Sequence, residues 1–168
     1  SLFYPRQPDP PNPEIDPCIT PGVDGDTILV NGKVWPYLEV EPRKYRFRVL
    51  NGSNHRFYRI KLDPELPFYQ IGTDGGFLPA PVKLKELVIA PAERADLIVN
   101  FAHLHGKNLI LRNDAPVPFP NGTPVDPETT GQIMEFRVVL PLQQEDKSSL
   151  PDELVPVPRL DQNLVKVR

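Results

Sequence analysis

The pattern that could most readily carry chemistry is His103-Leu104-His105, because two imidazoles one residue apart on an extended segment can bind one or two metal ions. A blue-copper site needs two histidines and a cysteine thiolate in one trigonal arrangement. The chain has three histidines and a single cysteine, Cys18, which has no histidine near it in sequence. The sequence therefore predicts no metal site on this chain, and we interpret the pair as a surface turn.

A small metalloprotein that uses both loop histidines remains an alternative, and it would need a further ligand such as His55 brought close in space. Other chemistry is not indicated, since no serine, cysteine or carboxylate pair has a candidate base beside it. The run Asp74-Gly75-Gly76 lacks the lysine of a phosphate-binding loop and the spaced carboxylates of a calcium loop, so it predicts a tight turn. We therefore expect no catalytic and no cofactor-binding residue here.

Basic residues are frequent between Arg43 and Lys61 and alternate there with aromatic residues, superficially as in a nucleic-acid-binding sheet. Neighbouring residues of a strand point to opposite faces, so the two sets in Lys44–Leu50 cannot form one stacking platform. The net charge of -3 gives no overall reason to bind nucleic acid or an anionic membrane surface. We interpret the stretch as a solvated sheet face, paired with carboxylates such as Glu39, Glu41, Glu86 and Glu93.

The elements that position these residues are predicted to be short β-strands. Asn31-Gly32 lies between two apolar runs, 27–30 and 34–40, and predicts a hairpin with a type I′ turn. In 44–50, the alternation of Tyr45, Phe47 and Val49 with basic residues predicts a half-buried strand. Further strands are predicted at 56–62, 68–71, 83–89, 95–101, 108–112 and 132–139. Eight or nine short strands with Gly/Pro punctuation and no helical periodicity indicate an antiparallel sandwich or barrel.

Proline divides the chain into three predicted parts. Seven prolines in the first 21 residues predict an extended arm, 1–24, that packs on the domain. The strands fall in 25–142, and the polar, proline-spaced segment 143–168 is interpreted as a linker that leads into the first strand of a further domain. No apolar run approaches the roughly 20 residues that a membrane-spanning helix needs.

The run from Gly25 to Arg48, with Asn31-Gly32-Lys33-Val34-Trp35-Pro36-Tyr37-Leu38-Glu39-Val40 at its centre, resembles the middle domain of bacterial multicopper oxidases of the spore-coat laccase, bilirubin oxidase and phenoxazinone synthase type. Further strings are similar to that family, at 51–54, 71–76, 90–96, 113–116 and 131–134. The resemblance implies a cupredoxin-like Greek-key sandwich, the second of three such domains. The parent would be an enzyme that oxidises phenols or related reductants and reduces dioxygen to water.

In that family the middle domain carries no copper, which the first and third domains bind. The resemblance thus implies that this chain is a structural bridge between those two partner domains and is inactive alone. It also implies a substrate mouth, lined here by Pro21, Gly22, His55, Pro118, Phe119 and Pro120. Some relatives link the segment before the first hairpin to the proline-rich loop by a cysteine pair, whereas here Asp24 occupies the first place and the loop has no cysteine.

Apolar faces that meet the partner domains would be exposed in the isolated chain, so association or aggregation is expected. The alternative function from another class is a free-standing β-sandwich module that binds a protein or carbohydrate without catalysis.

Overall fold

The computed structural model describes residues 24–158 of the 168-residue chain, and this part is built from eleven strands. The strands are β1 (Leu29–Val30), β2 (Lys33–Val34), β3 (Tyr37–Glu39), β4 (Lys44–Leu50), β5 (Tyr58–Asp63), β6 (Phe68–Thr73), β7 (Gly76–Leu84), β8 (Glu86–Ile89), β9 (Arg94–Asn100), β10 (Asn108–Asn113) and β11 (Gln132–Arg137). The predicted all-β class is confirmed. The described residues include no helix with the length and the apolar composition that are needed to cross a bilayer.

Two sheets form the body of the domain, and a short hairpin adjoins them. The five-stranded sheet has the order β3-β11-β10-β5-β8, the four-stranded sheet has the order β4-β9-β6-β7, and β1 pairs with β2. Strands that are distant in sequence become neighbours, as in the antiparallel pair β4–β9 and the parallel pair β11–β3. Two packed sheets, with connections that cross from one to the other, form the sandwich that the strand pattern predicts.

The core lies between the sheets and is filled by aliphatic and aromatic side chains. Tyr45, Phe47 and Val49 of β4 pack against it, while Arg46 and Arg48 are exposed. The predicted alternation of β4 is therefore confirmed. Phe47 and Phe101 each lie against Phe136, with ring centroids 5.2 and 5.3 Å apart, so aromatic contacts join strands of both sheets.

The first hairpin forms as predicted but is shorter. Asn31 and Gly32 have φ values of 50° and 79°, the left-handed pair that a type I′ turn requires. The predicted second strand, 34–40, is broken at Trp35, whose φ of 39° ends β2. The chain then enters the five-stranded sheet as β3. One apolar run thus supplies strands to two different sheets. The alternation with a period of two does not show which sheet each part of the run joins.

The strand at Gly76–Leu84 was not predicted in full, and the predicted strand 83–89 divides into the end of β7 and β8. Pro79 and Pro81 lie inside β7, where they count against a strand in sequence. The sheet order places β7 at an edge, where a missing N–H costs no ladder hydrogen bond. The count of eight or nine strands was wrong for this reason and because 34–40 is divided. Asp74-Gly75 forms the predicted tight turn between β6 and β7.

The basic stretch is divided between the two sheets, because Arg46 lies on β4 and Lys61 on β5. Its main carboxylate partners are aspartates rather than the predicted glutamates. Arg46 pairs with Asp96 at 2.7 Å, which raises the pKa of the guanidinium, and Lys61 pairs with Asp114 at 2.6 Å. Of the four predicted glutamates only Glu41 forms an ion pair in the described residues, with Arg43 at 3.7 Å.

The segment that follows β11 returns along the domain. Asp146 accepts hydrogen bonds from the backbone N–H of Lys44 at 2.9 Å and from the hydroxyl of Ser148 at 2.6 Å. The hydrogen bond from the Ser148 hydroxyl has the largest effect on the carboxyl, and together with the bond from Lys44 it holds the pKa of Asp146 well below its usual range. Further along, the N–H of Leu154 donates to the carbonyl of Pro79 on β7 at 2.8 Å. Residues 143–158 therefore contact both edge strands of the four-stranded sheet.

Candidate functional site

The predicted mouth residues fall on two loops that the sheet brings together. His55 lies on the loop between β4 and β5, and Pro118, Phe119 and Pro120 lie on the loop between β10 and β11. β5 and β10 are antiparallel neighbours with Ile60 opposite Asn113, so the first loop enters its strand beside the point where the second leaves. Pro21 and Gly22, like Cys18, lie outside the described residues.

Asn51 organises the loop between β4 and β5. Its side-chain amide donates to the carbonyl oxygens of Arg56 at 2.8 Å and Ile89 at 3.1 Å, and its Oδ1 accepts from the N–H of Ser53 at 3.0 Å. The residue is buried, with all of its side-chain hydrogen-bonding capacity directed at loop backbone or at Ser53. Asn51-Gly52-Ser53 is therefore a structural turn in which the asparagine amide is inaccessible.

His55 is exposed at the tip of this loop, where its Nδ1 lies 2.8 Å from Oδ2 of Asp24. The adjacent Arg56 is buried and donates to the carbonyl of Gly25 at 2.7 Å. Asp24 thus contacts the 51–57 loop through a hydrogen bond. Its second carboxylate oxygen, Oδ1, is buried and has no hydrogen-bond partner within the described residues.

Tyr58 follows this loop at the start of β5. Burial raises the pKa of its phenol, and the nearby Arg56 and a hydrogen bond with Ser53 partly oppose this effect. A phenol with a raised pKa stays protonated at neutral pH, so Tyr58 acts as a neutral packing and hydrogen-bonding group.

Asn113 organises the long loop in a way that parallels Asn51. Its Oδ1 accepts from the backbone N–H groups of Arg59 at 3.0 Å and Ala115 at 3.1 Å, and its amide donates to the carbonyl of Thr130 at 3.1 Å. The residue is buried, and it joins both ends of the 114–131 loop to β5. A loop of this length is otherwise entropically costly to fix, so these bonds define where it leaves the sheet.

Asp114 binds two basic residues of β5. Its carboxylate accepts from Nε of Arg59 and from Nζ of Lys61, the latter at 2.6 Å. Burial alone would raise the pKa of Asp114, but the hydrogen bonds from Arg59 and Lys61 outweigh burial and hold this pKa below its usual value. The same hydrogen bond raises the pKa of Arg59. The ion-pair network fixes the loop base next to the site.

An aromatic pair links the tips of the two loops. The rings of Phe57 and Phe119 stack with centroids 4.8 Å apart and an angle of 12° between their planes. Phe119 is half-buried, whereas Pro118 and Pro120 on either side of it are exposed. Val117 and Thr123 form a β-bridge below the tip, and a Cβ at Gly122 would collide with the backbone of Val117. The glycine therefore permits the close approach that presents Phe119.

The histidine pair lies in two consecutive turns between β9 and β10, so it precedes β10 whereas the long loop follows that strand. Both side chains are exposed, and His103 has a left-handed φ of 65°. The intervening Leu104 packs against the core, and the N–H of Gly106 donates to Val138 at 2.7 Å. The interpretation of this motif as a surface turn agrees with its position.

Among residues 24–158, no three His, Cys, Asp or Glu side chains lie together in a way that could hold a metal ion. The donor set that blue copper requires is not assembled by this part of the chain. We accordingly assign copper binding to none of these residues, and the expectation that the whole chain lacks a copper site stays a prediction.

Two site features escaped the sequence interpretation. Phe57 was grouped with the basic stretch, although its ring forms the link to Phe119. Asn113 and Asp114 were noted for their family-like string alone, although they fix the loop base. The sequence signal for the latter was an Asn-Asp pair directly after a strand, a position where such side chains bond loop backbone.

Known proteins place this arrangement in context. The chain is 51% identical over 167 residues to a laccase from Bacillus subtilis (strain 168), and the match covers 99% of this chain and 32% of that protein. It is 49% identical over 163 residues to a laccase from Bacillus stratosphericus, and this match covers 95% of the chain and 31% of that protein. The chain thus spans about a third of the length of these relatives.

Solved structures agree with these matches. The McoA multicopper oxidase from the hyperthermophile Aquifex aeolicus superposes with a TM-score of 0.74 at 34% identity, over 88% of this chain and 32% of that one. No protein-family model matches the sequence. The neighbours are cupredoxin-fold proteins, so the predicted cupredoxin-like sandwich is confirmed.

Proposed function

Because the chain is part of a multicopper oxidase of the bacterial laccase type, we propose that it is the central, copper-free domain of a laccase-like enzyme. In this role it bridges the first and third cupredoxin domains, which bind the copper. The whole enzyme oxidises phenolic or related reductants and reduces dioxygen to water. The chain alone has no oxidase activity.

One observation carries this proposal. Nearly the whole chain matches a laccase at 51% identity, yet it accounts for only 32% of that protein. The described residues meanwhile assemble no cluster of metal-binding side chains. A segment that is so similar and yet poor in ligands is best explained as a scaffold whose chemistry resides in the remaining two thirds of the enzyme.

The same role includes a contribution to the substrate mouth. His55 is exposed, and Phe119 with its flanking prolines is fixed beside the 51–57 loop by the stack with Phe57. Such a surface offers an imidazole and an aromatic face to a phenol. Pro21 and Gly22 belong to the proposed mouth through the resemblance alone.

The test of the scaffold role compares the 168-residue chain with the full polypeptide that contains it. Native mass spectrometry reads the assembled mass and bound copper, and oxidation of 2,6-dimethoxyphenol reads activity. We expect a chain without copper or activity and a full polypeptide with both. Copper on the bare chain, removed by changing His103 and His105 to Ala, would overturn the proposal in favour of a metalloprotein.

The test of the mouth uses His55→Ala in the full polypeptide, with Asn54→Ala on the same exposed loop as its matched control. We expect a raised KM for the phenol in the His55 variant, unchanged copper content, and no change in the control. Equal kinetics in both variants would remove His55 from the mouth.

A further inference from the structure

The outer side of the first hairpin and β3 carries large apolar side chains that remain exposed. We call this set the hairpin surface, and its members are Leu29, Val34, Trp35 and Tyr37, exposed by 40 to 60%. Four such residues within nine positions differ from the single exposed apolar residues that any soluble domain has. A contiguous apolar patch on a folded domain is typical of an interaction site.

The hairpin register explains why two of these side chains, those of Leu29 and Val34, share one side. Leu29 lies opposite Val34 in the antiparallel register, so their side chains project from the same face. Val30, the next residue, points the other way and packs against the core. The hairpin thus directs Val30 toward the core and presents Leu29 and Val34 on its outer face.

Trp35 and Tyr37 continue the surface beyond β2. The N–H of Trp35 donates to the carbonyl of Ile28 at 3.3 Å, which holds the indole-bearing residue against the hairpin base. The guanidinium of Arg137 stacks over the ring of Tyr37 at 3.8 Å. The backbone at Trp35 and the ring of Tyr37 therefore have local partners before any domain docks, which lowers the entropic cost of docking.

The hairpin itself has little to stabilise it. β1 and β2 have two residues each, and an isolated two-stranded hairpin is at best marginally stable in water. Packing on one face only leaves the other face in contact with water. A second apolar layer over Leu29 and Val34 would complete the burial of this element.

We propose that the hairpin surface is the site at which this chain docks another domain of the same polypeptide, through an apolar patch on that domain. This inference rests on the proposed function and specifies which face performs the bridging. The occupant is argued from length: the laccases that match 95 to 99% of this chain are about three times as long. Most of such a protein lies outside the chain and must meet it at some surface.

The opposite edge of the same sheet supplies the comparison. β8 ends the five-stranded sheet on the side away from β3, and there Val88 is exposed by 42%. Val88 is thus as exposed as Trp35, but it belongs to a different edge. If every exposed apolar residue became covered in the full polypeptide, both edges of the sheet would be protected. Docking at the hairpin surface protects only the edge at β3.

Hydroxyl-radical footprinting with mass spectrometry tests this directly, because Trp and Tyr side chains oxidise readily when exposed. We expect several-fold slower oxidation of Trp35 and Tyr37 in the full polypeptide than in the 168-residue chain. Phe77 on β7, exposed by 48%, serves as the reference for an unprotected site. Equal oxidation of Trp35 and Tyr37 in both samples would overturn the proposal, even where copper and activity show the proposed function to hold.

Other occupants have distinct signatures. Trp35 is the only tryptophan of the chain, so its fluorescence reports on this surface. A blue shift that grows with protein concentration is expected in the chain alone as association of the uncovered face. Only slower oxidation of Trp35 at raised concentration of the full polypeptide would therefore assign the surface to a second copy. Increased acrylamide quenching after deletion of residues 1–23 would assign it to the arm. Either assignment would overturn docking of another domain, and we expect neither.

A pair of variants provides an independent readout. Val34→Lys and Val88→Lys each place a charge at an exposed position, so neither is expected to change the unfolding free energy of the 168-residue chain. In the full polypeptide, Val34→Lys is expected to speed proteolytic separation of the domains several-fold, and Val88→Lys is expected to leave it unchanged. An unchanged rate of separation for Val34→Lys would contradict the assignment.

Discussion

Phe57 and Phe119 lie 62 positions apart in the chain, yet their rings stack with centroids 4.8 Å apart. The contact joins the loop that carries His55 to the proline-flanked tip of the loop between β10 and β11. It is the direct physical link between the two groups of residues that the sequence assigns to one mouth. The two loops are therefore joined into one surface by this contact.

Phe119→Ala is expected to loosen this surface and to lower the unfolding free energy by about 1 to 2 kcal/mol, from the lost stacking and area burial. Amide exchange of Val117 and Thr123, which form the bridge below the tip, is expected to speed up. Phe119→Tyr keeps the ring and serves as the control. Unchanged exchange in the Ala variant would show that the stack does not order the loop.

Asn51→Ala is expected to cost about 2 to 4 kcal/mol of unfolding free energy, because buried carbonyl and N–H groups lose their partners. The affected groups are the carbonyls of Arg56 and Ile89 and the N–H of Ser53. Asn54→Ala, on the exposed part of the same loop, is the matched control and is expected to change stability little. Denaturant unfolding measures both, and similar losses would contradict the role of Asn51.

Asp114→Asn tests the ion-pair network through its pH dependence. The folded-state pKa of Asp114 lies below its ordinary value, so its stabilisation is complete above the ordinary carboxyl pKa and is lost as pH falls through the folded value. At neutral pH we expect a loss on the order of 1 kcal/mol, since the pair is partly exposed.

This difference between Asp114→Asn and the unchanged chain should shrink to nothing in acid, as measured by thermal unfolding from neutral to strongly acidic pH. Glu65→Gln, which breaks the exposed pair with Lys85, is the control and is expected to have little effect at any pH. A loss for Asp114→Asn that persists in acid would indicate a packing effect instead.

Asp146→Ala is expected to release the segment 143–158 from the four-stranded sheet without unfolding the domain. The carboxylate holds the N–H of Lys44 and both donors of Ser148, so its removal leaves the contact between Leu154 and Pro79 without this support. Limited proteolysis is expected to cleave 143–158 several-fold faster, with the core fragment intact. Glu145→Ala, one exposed position earlier, should leave the cleavage rate unchanged.

Much of the fold follows from local pattern. Tyr45, Phe47 and Val49 alternate with basic residues, and Asn31-Gly32 supplies the left-handed turn, so a strand and a hairpin were predictable from their own residues. β7 was not, because Pro79 and Pro81 are incompatible with a central strand and become acceptable only at a sheet edge. Which strand forms an edge is a property of the assembled sheets.

The site divides in the same way. The sequence by itself determined that blue-copper ligands are scarce and that the chain is all-β. The mouth at His55, Pro118, Phe119 and Pro120 is a prediction from the family resemblance. Only the tertiary structure decided that Phe57 meets Phe119, that Asp24 meets His55 and that Asp114 binds two residues of β5. The physical reason is that composition and periodicity report on neighbours along the chain, whereas these contacts join segments that the sheets bring together.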